Sequence, residues 1–378
     1  MSKWPGKYVI GLTGNIGTGK SVVRRMLEHL GAYGIDADTL GHRAMARGAP
    51  GYQPVVTTFG RYIVGADGEI NRARLGRIVF GDPEAMALLE SIIHPFVEQA
   101  IDLMVRRASQ PVIVIEAIKL FEANLHKSCD GVWVTVAPPD IQLARLVQQR
   151  KMRDAEARQR IAAQPPQENK VRLATMVIKN AGTYEDTWKQ VTAAWQKWTR
   201  QPAEATPVVR VASPLGELGV VRGRPRHSNE IADLLNRLHK PATPLKKDDI
   251  MAAFGEKAFL LLQVGQTNAG IIGWQVENLV ARTTDIAIDP SVPVNQALPA
   301  LITEMEKASK DLQCEASLIF APPELARQEG LWKSLGYDRR MPESLGVLAW
   351  MEAALESKLP NTVLYFKKLR VDRILRPI

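Results

Sequence analysis

A glycine-bearing loop, Gly14-Asn15-Ile16-Gly17-Thr18-Gly19-Lys20-Ser21, constrains this chain more than any other stretch. It follows the apolar run Tyr8-Val9-Ile10-Gly11-Leu12-Thr13 and precedes the helix-like run from Val22 to Leu30. Strand, glycine loop and helix, in that order, form the context in which a G-x-x-x-x-G-K-S/T pattern holds phosphate. Residues without a Cβ let backbone N–H groups converge on phosphate oxygens. The N-terminus of the next helix adds positive partial charge. In such a loop Lys20 reaches the β- and γ-phosphates of ATP, and Ser21 holds Mg²⁺. A glycine turn with an incidental lysine is the alternative, and the flanking strand and helix argue against it. The loop names a nucleotide but not a reaction.

A chain of 378 residues, 46% of them apolar, has room for two domains with cores of their own. The formal net charge of +9 suggests anionic partners without choosing among small phosphorylated molecules, nucleic acid and membrane. No nucleic-acid module and no basic–aromatic interleaving is present, so nucleic acid is not an expected partner. Cys129 and Cys314 are the only cysteines and form neither a disulfide framework nor a metal-ligand spacing. The six histidines make no H-x-x-x-H pattern. No stretch has the length of a membrane-spanning helix, and Met1–Lys7 is not followed by the apolar core of a signal peptide. The sequence reads as cytoplasmic. It does not set an oligomeric state.

Beyond the loop, Gly31–Asp38 reads as a second strand ending in two acids, Asp36 and Asp38. Acids at the carboxyl ends of strands in an α/β sheet sit where ligands bind, although one of the pair could cap the following helix. Residues 43–110 read as helical, with Asn71 and Asp82-Pro83 as helix starts. Pro111–Glu116 and Gly131–Val136 are buried parallel strands, and Glu116 occupies a position from which an acid can act on Mg²⁺ or its water. The basic stretch Arg150–Arg153 and the helix after it read either as a solvated face or as a lid that brings cations to phosphate. Thr175–Gly182 is a last strand and turn. The helix Tyr184–Trp198 carries a Trp188, Val191, Trp195, Trp198 stripe expected to pack on the sheet.

Taken together these segments resemble dephospho-CoA kinase. The resemblance rests on the phosphate loop, Asp36-Ala37-Asp38, His94-Pro95, Leu120-Phe121-Glu122, Gln142–Leu146, Arg160–Gln164 and Val177–Thr183, and covers roughly residues 7–199. It implies ATP-dependent phosphorylation of the ribose 3′-hydroxyl of dephospho-CoA, with Gly14 to Ser21 holding the ATP phosphates and Mg²⁺. Asp38 matches the family's proposed base and would also face the metal. His94 falls in the family's CoA-side helical region. Arg145 and Arg150 are candidate nucleotide contacts, and Arg160 is a candidate substrate contact. A nucleotide-binding regulatory module without turnover is the competing reading. The chain departs from the family where Glu116, Ile118 and Lys119 replace an Asp, a Pro and a Leu, and where Asn15 replaces a common glycine.

A proline-bearing stretch, residues 201–208, reads as a stiff linker between a kinase domain at 1–200 and a second domain at 209–378. The second domain alternates strands and helices in an α+β order similar to a GNAT acyltransferase, with Leu331–Tyr337 as the late helix-and-turn segment. The resemblance implies a glycine-bearing turn for the acetyl-CoA pyrophosphate. The corresponding stretch, Ser291–Ala297, has no glycine and contains Pro293. Acetyl transfer is therefore not expected, while an active or CoA-sensing acetyltransferase and a stabilising module both stay open. Tyr337 is either a general acid by position or a packed core residue.

Overall fold

Unbroken apolar runs are what strands covered on both faces require. Three of them, β1 (Tyr8–Thr13), β3 (Val112–Glu116) and β4 (Gly131–Val136), form the centre of a five-stranded parallel sheet. The computed structural model describes residues 3–199, 209–213, 216–371 and 374. The expected linker at 201–208 lies outside them.

In the first half the other elements are α1 (Lys20–His29), β2 (Tyr33–Asp36), α2 (Ala37–Ala44), α3 (Tyr52–Phe59), α4 (Arg72–Val79) and α5 (Pro83–Arg107). They continue with α6 (Pro139–Gln148), α7 (Asp154–Ala162), α8 (Gln167–Val171), β5 (Met176–Lys179) and α9 (Tyr184–Thr199). The expected helix starts hold: Asn71 accepts from the Arg74 amide, and Asp82 accepts from the amides of Glu84 and Ala85. Strand order is β2-β3-β1-β4-β5. The register sets Leu12 and Asp36 on either side of Glu116, so the carboxyl ends of three strands line up at one edge. The glycine loop leaves β1 at that edge.

In the second half the elements are β6 (Val209–Ser213), β7 (Gly216–Arg222), α10 (Ser228–His239), α11 (Lys247–Ala253), β8 (Ala258–Val264), β9 (Thr267–Glu277) and β10 (Val280–Ile288). They are followed by α12 (Val294–Asp311), β11 (Ala316–Ala321), α13 (Pro323–Ala326), α14 (Glu329–Ser334), β12 (Asp338–Arg339), α15 (Leu348–Glu356) and β13 (Val363–Lys368). The strands make one mixed sheet ordered β12-β13-β11-β10-β9-β8-β7-β6. Its pairs are antiparallel except β10–β11. That parallel pairing stops at Thr283 and Ile319, beside a register shift in β10. One face packs on α12 through Leu298, Leu301, Ile302 and Met305, together with Trp332 and Tyr337. The other receives Ile231, Leu235 and Phe254 of the α10–α11 segment. Residues 323–334 form two short helices, α13 and α14, tied where the Trp332 indole donates to the Leu325 carbonyl at 2.9 Å.

The chain forms two compact units. Among the described residues, one comprises 3–20 and 32–181, and the other 21–31 with the described residues of 182–371. The second unit thus contains most of α1 and all of α9. Within it, His29 of α1 stands edge-on to Phe254 with ring centroids 5.4 Å apart and donates from Nε2 to the Phe254 carbonyl at 2.8 Å. Arg25 donates to the Val276 carbonyl at 3.2 Å, and Arg222 to the Glu28 carbonyl at 3.4 Å. Glu28 is buried and holds Arg24 at 2.5 Å and Arg25 at 3.1 Å. Burial lowers the His29 pKa to about 3, aided by the charge of Arg222, so the imidazole is neutral. Tyr184 of α9 packs against the same small core as Phe254. The aromatic stripe of α9 is buried at Val191 and Trp195, as its spacing requires.

Candidate active site

The loop from Gly14 to Lys20 is held by short-range contacts and by several distant segments. Thr18 donates its hydroxyl to the Asn15 carbonyl at 2.8 Å and lies 2.9 Å from the Thr135 hydroxyl of β4. The Asn180 amide donates to the Thr18 carbonyl at 2.9 Å. Arg145 of α6 donates to the carbonyls of Gly17, at 3.2 Å, and Asn180, at 2.9 Å. Gln164 accepts from the Ile16 amide at 2.7 Å, and the Pro165 carbonyl accepts from Asn15 Nδ2 at 2.8 Å. Ile16 also packs on Leu146 and Ala157, which ties the loop to α6 and α7. Gly17 and Gly19 have φ of +74° and +88°, and a Cβ on Gly19 would stand 2.0 Å from the Asn180 amide nitrogen. Only glycine fits there.

Lys20 is buried, with Nζ 3.5 Å from the Asn15 carbonyl. Burial lowers its pKa, the charges of Glu116 and Asp38 oppose that, and Arg150 reinforces it. The two acids after β2 divide their work. Asp36 caps α2 by accepting from the Thr39 amide at 2.9 Å. Asp38 lies in the first turn of α2 rather than at the strand end, and accepts from the Ile118 amide at 3.1 Å. Burial raises its pKa to about 6; the Ile118 hydrogen bond opposes that shift and the Asp36 charge adds to it. An acid, a buried ammonium and a converging backbone loop at the carboxyl edge of a parallel sheet can bind a polyphosphate and orient an attacking hydroxyl.

Of the other anticipated residues, Ser21 is exposed in the first turn of α1. Arg150 is exposed just past α6, within electrostatic reach of Lys20. Arg160 lies on the outer face of α7, paired with Glu156 at 2.8 Å. His94 is half-buried in α5, one residue before Pro95. Three groups at the site were not anticipated. They are the Ile118 amide on Asp38, the clamp by Gln164 and Pro165, and the buried Lys170, whose Nζ donates to the Ile118 carbonyl at 2.8 Å. A backbone donor leaves no mark in side-chain identity, and Lys170 stands in an ordinary polar run.

Among the described residues no three His, Cys, Asp or Glu side chains form a metal-binding group, and no helix is long and apolar enough to cross a membrane. The carboxylate donors on hand are Asp38 and Glu116, which feel one another's charge. This pair fits Mg²⁺, which takes one or two carboxylates plus phosphate oxygens, and does not fit an all-protein cage. Asn15 Oδ1 is buried in the loop without a hydrogen-bond partner among the described residues.

The family model for dephospho-CoA kinase matches residues 8–186. A dephospho-CoA kinase of Carboxydothermus hydrogenoformans is 42% identical over 193 residues, spanning 50% of this chain and 94% of that protein. One of Geobacter metallireducens is 43% identical over 192 residues, spanning 50% of this chain and 96% of that protein. For the second half, a solved N-acetyltransferase of Thermoplasma acidophilum in complex with coenzyme A is 9% identical with a TM-score of 0.31, covering 40% of this chain and 98% of that one.

Proposed function

The chain belongs to the dephospho-CoA kinase family through its first half, and from that premise we propose that this half transfers the γ-phosphoryl group of ATP to the ribose 3′-hydroxyl of dephospho-CoA, giving coenzyme A. The observation that carries the reading is Asp38, a partly buried acid aimed by the Ile118 amide and in the field of Lys20 at the mouth of the phosphate loop. In this reading the amides from Gly14 to Gly19, with Asn15, Ile16, Gly17 and Thr18, cradle the ATP phosphates. Lys20 neutralises charge at the β,γ-bridge as it leaves the γ-phosphoryl group. Asp38 orients the 3′-hydroxyl in line and takes its proton as the bond forms. Ser21 and Asp38 would hold Mg²⁺, which when bound neutralises phosphate charge. Arg145 braces the loop on the nucleotide side, Arg150 adds positive field, and His94 and Arg160 serve the dephospho-CoA side. Arg160 must leave Glu156 to do so, a modest cost for an exposed i,i+4 pair. The proposed sequence domains, 1–200 and 209–378 with a linker at 201–208, differ from the two compact units, in which most of α1 and all of α9 group with the second half; the free thiols Cys129 and Cys314 suit a cytoplasmic protein.

The test is ADP release by the full chain with ATP and Mg²⁺, with and without dephospho-CoA, for the parent, Asp38→Asn and Lys20→Ala. Release that depends on dephospho-CoA and falls to a small residual rate in both variants supports the reading. Release indifferent to dephospho-CoA sinks it and favours the nucleotide-binding module.

For the second half, the strand and helix order supports a GNAT-like fold, and three observations support the absence of acetyl transfer. Pro293 precedes α12, so the turn lacks one amide donor. The Asp289 carboxylate accepts from the Ser291 amide at 3.0 Å and is paired with Arg237, placing an acid in the turn meant for a pyrophosphate. Tyr337 is fully buried with its hydroxyl 2.9 Å from that of Ser317, and burial pushes its pKa well above the usual tyrosine value. Such a tyrosine is a core residue rather than a general acid. The contacts of α1 with Phe254, Val276 and Arg222 favour a stabilising module over a CoA sensor.

A further inference from the structure

Lysine is almost never fully buried without a partner, because its ammonium loses its hydration. Lys170, on α8, is buried, and its Nζ donates to the Ile118 carbonyl at 2.8 Å. The same carbonyl accepts from the Thr13 hydroxyl, at the end of β1, at 3.1 Å. The Ile118 amide points the other way, onto Asp38 Oδ2. One residue thus has its carbonyl fixed by two side chains and its N–H fixed on the acid.

The segment that carries Lys170 reaches other parts of the site too. Gln164 holds the Ile16 amide, Pro165 holds Asn15, and Gln167 accepts from the Ala137 amide at 3.2 Å at the end of β4. Residues 164–170 therefore touch the phosphate loop, the end of β4 and the support of Asp38. We infer that Lys170 is a positioning residue for phosphoryl transfer: by clamping the Ile118 carbonyl it holds the Ile118 amide on Asp38, and through its own segment it keeps that acid in register with the phosphate loop. The inference rests on Asp38 acting as the group that orients the acceptor hydroxyl. In this inference Lys170 acts through the Ile118 carbonyl, on which one of its ammonium donors is fixed, and not on the substrate.

The test uses the full chain with Lys170→Met, which keeps the side chain's length and bulk while removing its donors, and with Lys170→Arg and Thr13→Val. Steady-state constants for ATP and dephospho-CoA are measured alongside thermal stability in the parent background, and the residual turnover rate is measured at high enzyme concentration in an Asp38→Asn background. A misplaced catalytic group costs rate rather than nucleotide affinity. Lys170→Met is expected to lower kcat about tenfold and to leave the KM for ATP within about twofold. Lys170→Arg should recover most of that loss, and Thr13→Val should show a smaller loss of the same kind. In the Asp38→Asn background Lys170→Met should cost nothing further, since its effect passes through the acid. A tenfold rise in the KM for ATP with kcat intact would mean that Lys170 binds phosphate directly. A stability loss with unchanged kcat would mean a purely structural lysine. An undiminished kcat effect in the Asp38→Asn background would mean that it acts elsewhere. Each of these three results overturns the inference. If Asp38→Asn alone leaves kcat unchanged, the failure lies with the role of Asp38 and is seen before Lys170 is touched.

Discussion

Gly19→Ala is the substitution whose cost the structure sets most tightly. The new Cβ lies 2.0 Å from Asn180 Nδ2, which no real contact allows, so the Asn180 side chain must swing away from the Thr18 carbonyl it now binds at 2.9 Å. Losing a buried hydrogen bond costs about 1–3 kcal/mol. A φ of +88° costs a residue with a Cβ a further ~1–2 kcal/mol. The sum, about 2–5 kcal/mol, is a large share of the stability of an ordinary domain. Asn180→Ala alone loses the same hydrogen bond but gains no backbone strain, so it should cost about 1–3 kcal/mol. The double variant has no clash, because the obstructing amide is gone, and should cost about as much as Gly19→Ala alone. The assay is urea-dependent hydrogen exchange on peptides of β1 and β4, which reports opening of the first sheet without relying on a single transition for the whole chain. The two single costs should overshoot the double by about 1–3 kcal/mol, the energy of the shared hydrogen bond. Additivity within about 0.5 kcal/mol would refute the reasoning, since the two sites would then not share a contact.

Other outcomes follow from the same structure. His29 has an unfolded pKa near 6.5 and a folded pKa of about 3, so between those values the unfolded chain takes up a proton that the folded chain refuses. Stability is full above pH 6.5 and falls as pH drops, by up to about 1.4 kcal/mol per pH unit from this group. His29→Gln keeps a donor for the Phe254 carbonyl and should flatten the fall in urea midpoint between pH 7 and pH 5; an unchanged slope would remove His29 as its source. Tyr337→Phe leaves the Ser317 hydroxyl without its partner and should cost about 1 kcal/mol by chemical denaturation; no measurable loss would place that hydroxyl outside the core's hydrogen-bond network. Free thiol release from acetyl-CoA, offered with a panel of primary amines, should stay at the rate without protein. Amine-dependent release would reinstate acetyl transfer in the second half.

The phosphate loop was legible because its chemistry is local: eight consecutive residues between a strand and a helix carry both shape and charge. The buried strands were legible for a related reason, since β1, β3 and β4 show their burial in unbroken apolar runs. The pair Asp36 and Asp38 was legible only as a pair. Which acid caps α2 depends on where β2 ends, and a two-residue shift in that boundary would make Asp38 the cap. The support of Asp38 could not be read at all, because it runs through a backbone amide 80 positions away and a lysine 52 positions from the carbonyl it holds. In the second half α11, α15 and the two-residue β12 escaped the periodicity reading, being short or, in α15, apolar nearly all round. The partners of α1 were equally hidden. Arg25, Glu28 and His29 look like an ordinary solvated face in sequence, and only the fold buries Glu28 and His29 and half-buries Arg25 beside Phe254 and Val276.

The most direct measurement of the central claim follows the phosphoryl group itself. The full chain is given γ-labelled ATP, Mg²⁺ and dephospho-CoA, and the product is identified by mass and by the position of the label. The account predicts coenzyme A with the label on the ribose 3′-oxygen, formed by the parent and only at a small residual rate by Asp38→Asn, while both proteins bind ATP with similar affinity. Label released as inorganic phosphate, or coenzyme A formed as fast by Asp38→Asn as by the parent, would contradict it.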